Sequence, residues 1–116
     1  YERSNQVILI IVKFPIREDR LEEWQDLSSY YAKAVNEEPG CEFFEFSRSL
    51  TDPNTFVCIE GFRDSAAGQE HMAQAHVARF MAEMPDIVSA QPQIIYVEAD
   101  EVTGFGPMGE ITPRSV

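Results

Sequence analysis

The pattern of apolar positions begins with an uninterrupted aliphatic run at positions 7–12, which Lys13 and Phe14 separate from Pro15. A strand that is apolar at every position, rather than at alternate ones, is typical of a sheet covered on both faces. Proline has no backbone N–H to donate to a neighbouring strand, so we expect Pro15 to end the strand. The run therefore predicts a first β-strand with a layer packed on each side.

The next segment has the three- and four-residue spacing of an amphipathic helix. Glu18 and Asp19 lie at its start, where acidic side chains interact favourably with the helix dipole. Pro39 and Gly40 mark its end, because helices tend to stop ahead of a proline. The predicted apolar stripe consists of Leu21, Trp24, Leu27, Tyr31, Ala34 and Val35.

Two strand-length runs at positions 41–49 and 55–62 flank an Asp-Pro-Asn turn signal. Both runs are rich in Phe, Val, Ile and Cys and are bounded by turn residues. The proline suits the second position of a turn, and the Asp and Asn side chains can bond the local backbone. The pattern predicts a β-hairpin in which Cys41 pairs near Phe62.

A second helical stripe follows the hairpin. Asp64 or Ser65 is predicted to cap the start of this helical segment, and Pro85 is predicted to end it. The stripe consists of Ala73, Val77, Phe80, Met81 and Met84.

The end of the chain contains a last predicted strand, at positions 93–98, and a tail rich in Gly and Pro. We expect residues 103–116 to form an arm or a disordered end. Residues 1–102 then form a single domain.

The predicted order is β-α-β-β-α-β, which is the ferredoxin-like arrangement of an α+β protein. Four strands would form one antiparallel sheet with the helices on one face. The other face is also apolar, and left uncovered it would be a large exposed patch. We therefore expect a homodimer in which two sheets pack face to face.

Charge and cysteine content restrict the partners. The formal net charge is −11, and an acidic chain repels phosphate backbones, so nucleic acid is not expected as a partner. No apolar run approaches the ~20 residues needed to cross a bilayer, so no membrane partner is expected. In the predicted hairpin Cys41 and Cys58 lie too far apart for a disulfide, which predicts two free thiols and a cytoplasmic protein.

Several short motifs together resemble the antibiotic biosynthesis monooxygenase (ABM) domain. They are the Glu-Pro-Gly-Cys turn at 38–41, the Asp-Pro-Asn turn at 52–54, the strand end at 60–64, and the helical positions 67–71 and 76–80. The resemblance spans roughly residues 7–99. Each motif is weak by itself, and their order and spacing carry the likeness.

The resemblance implies a dimeric α+β barrel and a cofactor-independent monooxygenase that oxidises an electron-rich aromatic (a quinol, anthrone or phenol) with O₂. The alternatives are a non-catalytic dimer that binds a small ligand, or an isomerase of a small dicarbonyl metabolite. A haem-degrading activity fits poorly, because Met81 stands where those relatives carry a histidine. Phe62 replaces the tryptophan common in the family, which removes an indole N–H donor.

Two side chains are candidate catalytic groups. His71 could take a proton from a phenol, since the ordinary pKa of histidine suits neutral pH; the alternative is a structural histidine that bonds a backbone carbonyl. Glu60 shares a strand face with apolar residues. We expect Glu60 to pair with Arg63 or Arg48, or else to have a raised pKa and move protons.

Aromatic side chains are the candidate substrate-binding residues, because a wall of aromatic rings binds a flat ligand well. We expect no metal site, because His71 and His76 are not three or four residues apart as two ligands on one helical face would be. The substrate-binding candidates are Trp24, Tyr31, Phe44, Phe62, His76 and Phe80.

Overall fold

The computed structural model describes residues 6–100 and 104–114. Its strands are β1 (Val7–Pro15), β2 (Cys41–Arg48), β3 (Thr55–Phe62) and β4 (Gln93–Ala99), and its helices are α1 (Leu21–Asn36), α2 (Ser65–Met72) and α3 (Ala75–Ile87). The four strands form one sheet in the order β2-β3-β1-β4, with every neighbouring pair antiparallel. The α+β, ferredoxin-like prediction is confirmed.

The hairpin has the predicted register. Cys41 lies opposite Phe62, and Cys58 lies opposite Phe46, so the two thiols are separated along the ladder. Both cysteines are free, as predicted. Two groups of Asp52 close the turn. Its carboxylate accepts a hydrogen bond from the Thr55 hydroxyl at 2.7 Å, and its backbone carbonyl accepts one from the Thr55 backbone N–H at 2.9 Å.

Helix α1 packs the predicted stripe against the sheet, although Leu21 and Ala34 of that stripe are only half-buried. A short 3-10 turn, Glu18–Arg20, leads into it. The side chains that α1 buries are Trp24, Leu27, Tyr31 and Val35. Trp24 packs among aromatic rings from the sheet and from α3, which fixes α1 over the centre of the sheet.

The second helical segment differs from the prediction in two ways. It is broken into α2 and α3, with Gln74 in an extended conformation between them. Pro85 does not end α3, which runs to Ile87. Burial of Ile87 and the hydrogen bond from the Val88 N–H to the Met84 carbonyl hold the last turn, so the proline is tolerated near the helix end.

The predicted stripe on α3 also shifts. Ala73 precedes the helix and is exposed, and Met81 is exposed as well. The side chains that α3 does bury are Val77, Phe80, Met84 and Ile87. Their spacing of three and four residues places one face of α3 on the sheet.

All the helices lie on one face of the sheet, and apolar side chains also occupy the other. On that outer face Leu9, Phe43 and Ile59 are half-buried, and Phe105 of the tail packs edge-to-face on Phe43 with ring centroids 5.2 Å apart. The described part of the tail, residues 104–114, has no helix or strand; the rest of the predicted tail, at 103 and 115–116, lies outside the described residues. None of the described helices is long and apolar enough to cross a membrane.

Candidate active site

A cleft of about 310 Å³ lies between the helices and the sheet, and residues of all four strands line it. Exposed Met72, Met81 and Ile94 stand at its mouth, and buried Glu60 and His71 lie at its inner end. An adjoining depression of about 520 Å³ shares His71 and both methionines. Residues lining the cleft are Ile10, Val12, Phe14, Tyr31, Phe46, Cys58, Glu60, His71, Met72, Phe80, Met81, Met84, Pro92 and Ile94.

His71 is held from behind by a carboxylate. Its Nδ1 lies 2.9 and 3.1 Å from the two carboxylate oxygens of Glu38. A carboxylate in an imidazole–carboxylate hydrogen bond accepts, so Nδ1 carries the proton when the imidazole is neutral. The other nitrogen, Nε2, is then an acceptor. It lies 3.4 Å from the Tyr31 hydroxyl, whose O–H can donate to it, and 3.9 Å from Oε1 of Glu60.

The local sequence explains how Glu38 reaches His71. Glu38 follows the end of α1 and begins the turn that enters β2. In that turn Gly40 lies so close to α2 that a Cβ atom at this position would collide with the Cβ of Ala67. The Arg63 N–H also donates to the Gly40 carbonyl at 2.8 Å. The absence of a side chain at Gly40 therefore lets the turn pack on α2 and brings Glu38 to His71.

His76 contacts the same carboxylate. Its Nε2 lies 2.6 Å from Oε2 of Glu38. The break between α2 and α3 makes this possible, because the extended Gln74 changes the direction of the chain between the two histidines. The argument from spacing against a metal site assumed an unbroken helix, so it does not apply to this arrangement.

Glu60 lies at the inner end of the cleft without a cationic partner of the kind expected. The predicted pairing with arginine is wrong: Arg63 pairs with Asp64, and Arg48 donates to the Pro53 carbonyl. Burial raises the pKa of the Glu60 carboxyl to about 7, and the negative charge of Glu38 contributes to the rise. The alternative expectation, a carboxyl with a raised pKa, fits the structure.

Two further side chains near Glu60 are held in their neutral forms. The Cys58 thiol donates to Oε2 of Glu60 at 3.4 Å, and burial together with the Glu60 charge raises the pKa of the thiol. Burial also raises the pKa of the Tyr31 hydroxyl. The Tyr31 ring stacks on Phe80, with centroids 4.0 Å apart and an angle of 18° between the planes. This pair forms a flat aromatic wall of the cleft.

The structure brings only part of the predicted set to the cleft. His71, Glu60, Tyr31 and Phe80 line it directly, and Phe62 lies behind His71, with ring centroids 4.5 Å apart. The remaining three predicted substrate-binding residues do not line it. Trp24 and Phe44 are core residues, and His76 faces Glu38.

Glu38 was not among the predicted site residues, although it belongs to the turn motif that carried the resemblance. It is 33 positions before His71 in the chain, and no local pattern links the two. A buried carboxylate joined to two histidines is a group that only the fold reveals.

A family model for antibiotic biosynthesis monooxygenase matches residues 7–83. This match covers more than half of the chain and includes Glu38, Glu60, His71 and His76. The chain belongs to the antibiotic biosynthesis monooxygenase family.

Similar proteins agree with membership of the ABM family. An uncharacterised protein of Synechocystis sp. is 28% identical over 101 residues, which cover 86% of this chain and 69% of that protein. YcnE of Bacillus subtilis, named as a proposed monooxygenase, is 30% identical over 92 residues, covering 79% and 93% of the two chains. A crystal structure from Caulobacter crescentus, described as a candidate antibiotic biosynthesis monooxygenase, has a TM-score of 0.78 at 21% identity, covering 84% of this chain and 93% of that one.

The structural likeness supports the ABM fold alone, because the identity is low. Function therefore has to be argued from the side chains of the cleft.

Proposed function

We propose that this ABM-family protein is a cofactor-independent monooxygenase that oxidises an electron-rich aromatic, such as a quinol, anthrone or phenol, with O₂. The observation that carries the proposal is the position of His71. Its imidazole is buried at the inner end of an apolar cleft, with Nδ1 on Glu38 and the unprotonated Nε2 on the side of Tyr31 and Glu60.

The first chemical step is removal of a proton from the substrate. Nε2 of His71 takes the proton of a phenolic hydroxyl, or of the acidic C–H of an anthrone, and becomes an imidazolium. Glu38 stabilises that charge through the hydrogen bond to Nδ1 and keeps the ring in the tautomer that leaves Nε2 unprotonated. Glu38 is thus a positioning residue for His71.

The second step transfers electrons from the substrate anion to O₂. One electron passes to O₂, and the resulting radical pair combines to form a C–O bond, giving a peroxide. Loss of one water molecule from the peroxide leaves a carbonyl, so the whole reaction converts a C–H-bearing aromatic and O₂ into a quinone-type product and H₂O. The substrate supplies all the electrons, and no external reductant is consumed.

Glu60 is suited to handle protons in the second step. With its pKa raised to about 7, the carboxyl exists in both protonation states near neutral pH. It can donate a proton to the peroxide oxygen that leaves as water, and the carboxylate so formed can take up the proton that leaves the peroxide-bearing carbon. The Tyr31 hydroxyl, which stays protonated, adds a hydrogen-bond donor at the same end of the cleft.

The walls of the cleft favour a flat aromatic substrate. Phe14, Phe46, Phe80 and Met84 line it, and the polar groups lie at one end. Such a cavity excludes water from a reactive peroxide and offers little to hold both oxygens of a small dicarbonyl metabolite. This observation favours the monooxygenase over the isomerase.

Oxygen consumption with a panel of quinols, anthrones and phenols tests the proposal, with each compound measured with and without protein. With ¹⁸O₂ we expect one labelled oxygen atom per product molecule and the other in water. Saturable binding of these compounds without oxygen uptake above the background would instead identify a non-catalytic binding protein.

The outer face of the sheet supports the assembly expected for the family. Its exposed β4 residues include Ile95 and Val97, which continue the apolar surface of Leu9 and Ile59. We propose that a second copy packs on this face and that the protein acts as a homodimer, located in the cytoplasm as two unpaired thiols suggest. Light scattering should then give about twice the 13.2 kDa of one chain; the single-chain mass would contradict the dimer.

A further inference from the structure

The side chain of Glu38 is buried together with two histidines and without a permanent cation. The side chains of Glu38, His71 and His76 are 8%, 6% and 13% exposed. Among the described residues, Glu38 forms ion pairs only with the two histidines. A buried carboxylate requires a compensating positive charge, and here that charge must be a proton on an imidazole or a bound cation.

The donor set fits a transition metal. The ligand atoms of the three residues, one from each, all lie within 4.8 Å of one another. Two imidazoles and one carboxylate suit Zn²⁺ and similar ions, whereas Mg²⁺ and Ca²⁺ prefer sites made of oxygen ligands. We propose that Glu38, His71 and His76 form a binding site for a divalent transition-metal ion such as Zn²⁺.

The proposed metal site lies outside the cleft in which the substrate would react. His71 lines the cleft, but Glu38 and His76 do not. The ion would therefore lie behind the imidazole, on the Nδ1 side, and its remaining coordination positions would not face the cleft. His76 is consistent with this position, because it contacts Glu38 and does not line the cleft.

Metal binding would change what His71 offers to the cleft. A neutral imidazole that coordinates a metal through Nδ1 keeps its proton on Nε2. Nε2 would then donate a hydrogen bond toward Glu60 or Tyr31 and could not accept a proton from the substrate. This consequence rests on the proposed function: the ion would inhibit the reaction by occupying the position of the Nδ1 proton.

Metal binding is measured without any activity assay. Untagged full-length protein is freed of metal with a chelator and titrated with Zn²⁺ by calorimetry, and bound zinc is counted after dialysis. We expect one ion per chain and at least a tenfold loss of affinity in Glu38→Gln and His76→Asn. Glu70→Gln, a charge-matched change on the exposed surface of α2, should bind like the wild type.

The imidazole nitrogens give a second readout that needs no variant. The chain contains two histidines, so the imidazole signals of a ¹⁵N spectrum come from His71 and His76 alone. Zn²⁺ should shift Nδ1 of His71 and Nε2 of His76 while Nε2 of His71 remains protonated. Failure to retain stoichiometric zinc, or equal retention by the wild type and His76→Asn, would overturn the site.

Turnover measurements distinguish zinc binding from inhibition by zinc. If the protein oxidises a substrate from the panel, one equivalent of Zn²⁺ should suppress that turnover and a chelator should restore it. Stoichiometric zinc without any change in turnover would refute the inhibition and leave the site standing. If no compound is oxidised, the proposed function fails, and the zinc counts and ¹⁵N shifts still decide the site.

Discussion

Replacing Glu60 by Gln tests whether the inner end of the cleft is as apolar as the structure indicates. Glutamine has nearly the shape and polarity of the protonated carboxyl, so it should keep the local packing. In the unfolded chain the Glu60 carboxyl has its ordinary pKa of 4.5, whereas burial raises the pKa to about 7 in the folded protein. Between these two values the folded state binds more protons than the unfolded state, so the free energy of unfolding must fall as pH rises.

The size of the effect follows from the shift. At ~1.36 kcal/mol for each pKa unit, raising the pH from 4.5 to above 7 should cost the wild type about 3 kcal/mol of stability relative to Glu60→Gln. The loss begins above the unfolded pKa and is complete above the folded one. Because Gln does not titrate, the difference between the two proteins reports on this carboxyl together with its interaction with His71, whose Nε2 lies 3.9 Å away.

Urea denaturation at several pH values between 4.5 and 8 measures this difference. The two proteins are compared at one protein concentration with a chelator present, because assembly and metal binding both change apparent stability. Glu22→Gln, an exposed change on α1, is the matched control and should follow the wild type. A constant difference between wild type and Glu60→Gln would refute the raised pKa. The opposite slope would show instead that Glu60 is ionised and paired with a protonated His71.

Three further predictions concern Glu38, the turn at Gly40 and the two cysteines. Glu38→Gln should lower kcat by about 10- to 100-fold with a smaller change in KM, because Glu38 orients the His71 imidazole and does not itself contact the substrate. A rise in KM as large as the fall in kcat would contradict a positioning role. Gly40→Ala should destabilise the fold by about 1–3 kcal/mol in urea, because the added methyl group collides with Ala67, and an unchanged midpoint would contradict that close packing. Native protein should react slowly with a thiol reagent at neutral pH, because burial raises the pKa of Cys41 to about 11 and that of Cys58 as well; the denatured, unreduced protein should show two thiols, and fewer would reveal a disulfide.

The strands and their pairing could be predicted from the sequence because they depend on local signals. The turn around Pro53 fixes where the chain reverses, and alternation then fixes the register, so the pairing of Cys41 with Phe62 is as predicted. Proline was less reliable as a stop signal. Pro85 lies inside α3 because the packing of Ile87 on the core outweighs the local preference.

The polar site could be predicted only in part, because its contacts join distant parts of the chain. Glu60 was found as a carboxylate among the apolar residues of its strand, and His71 through its place in the motifs that resemble the ABM domain. Their partners were not found: Glu38 comes from the turn after α1, and the arginines expected near Glu60 bond elsewhere. The break at Gln74, which moves His76 onto Glu38, is likewise a tertiary feature without a strong local signal.

The central claim is that the free nitrogen of His71 starts an oxidation in the cleft. His71→Asn tests it most directly, because the asparagine amide can replace the Nδ1–H bond to Glu38 while the base on the cleft side is removed. Oxygen uptake should be measured with a panel compound that the wild type oxidises, after circular dichroism and light scattering show that the variant has the same fold and assembly. We predict a fall in kcat of about 100-fold or more; turnover equal to that of the wild type would contradict the account.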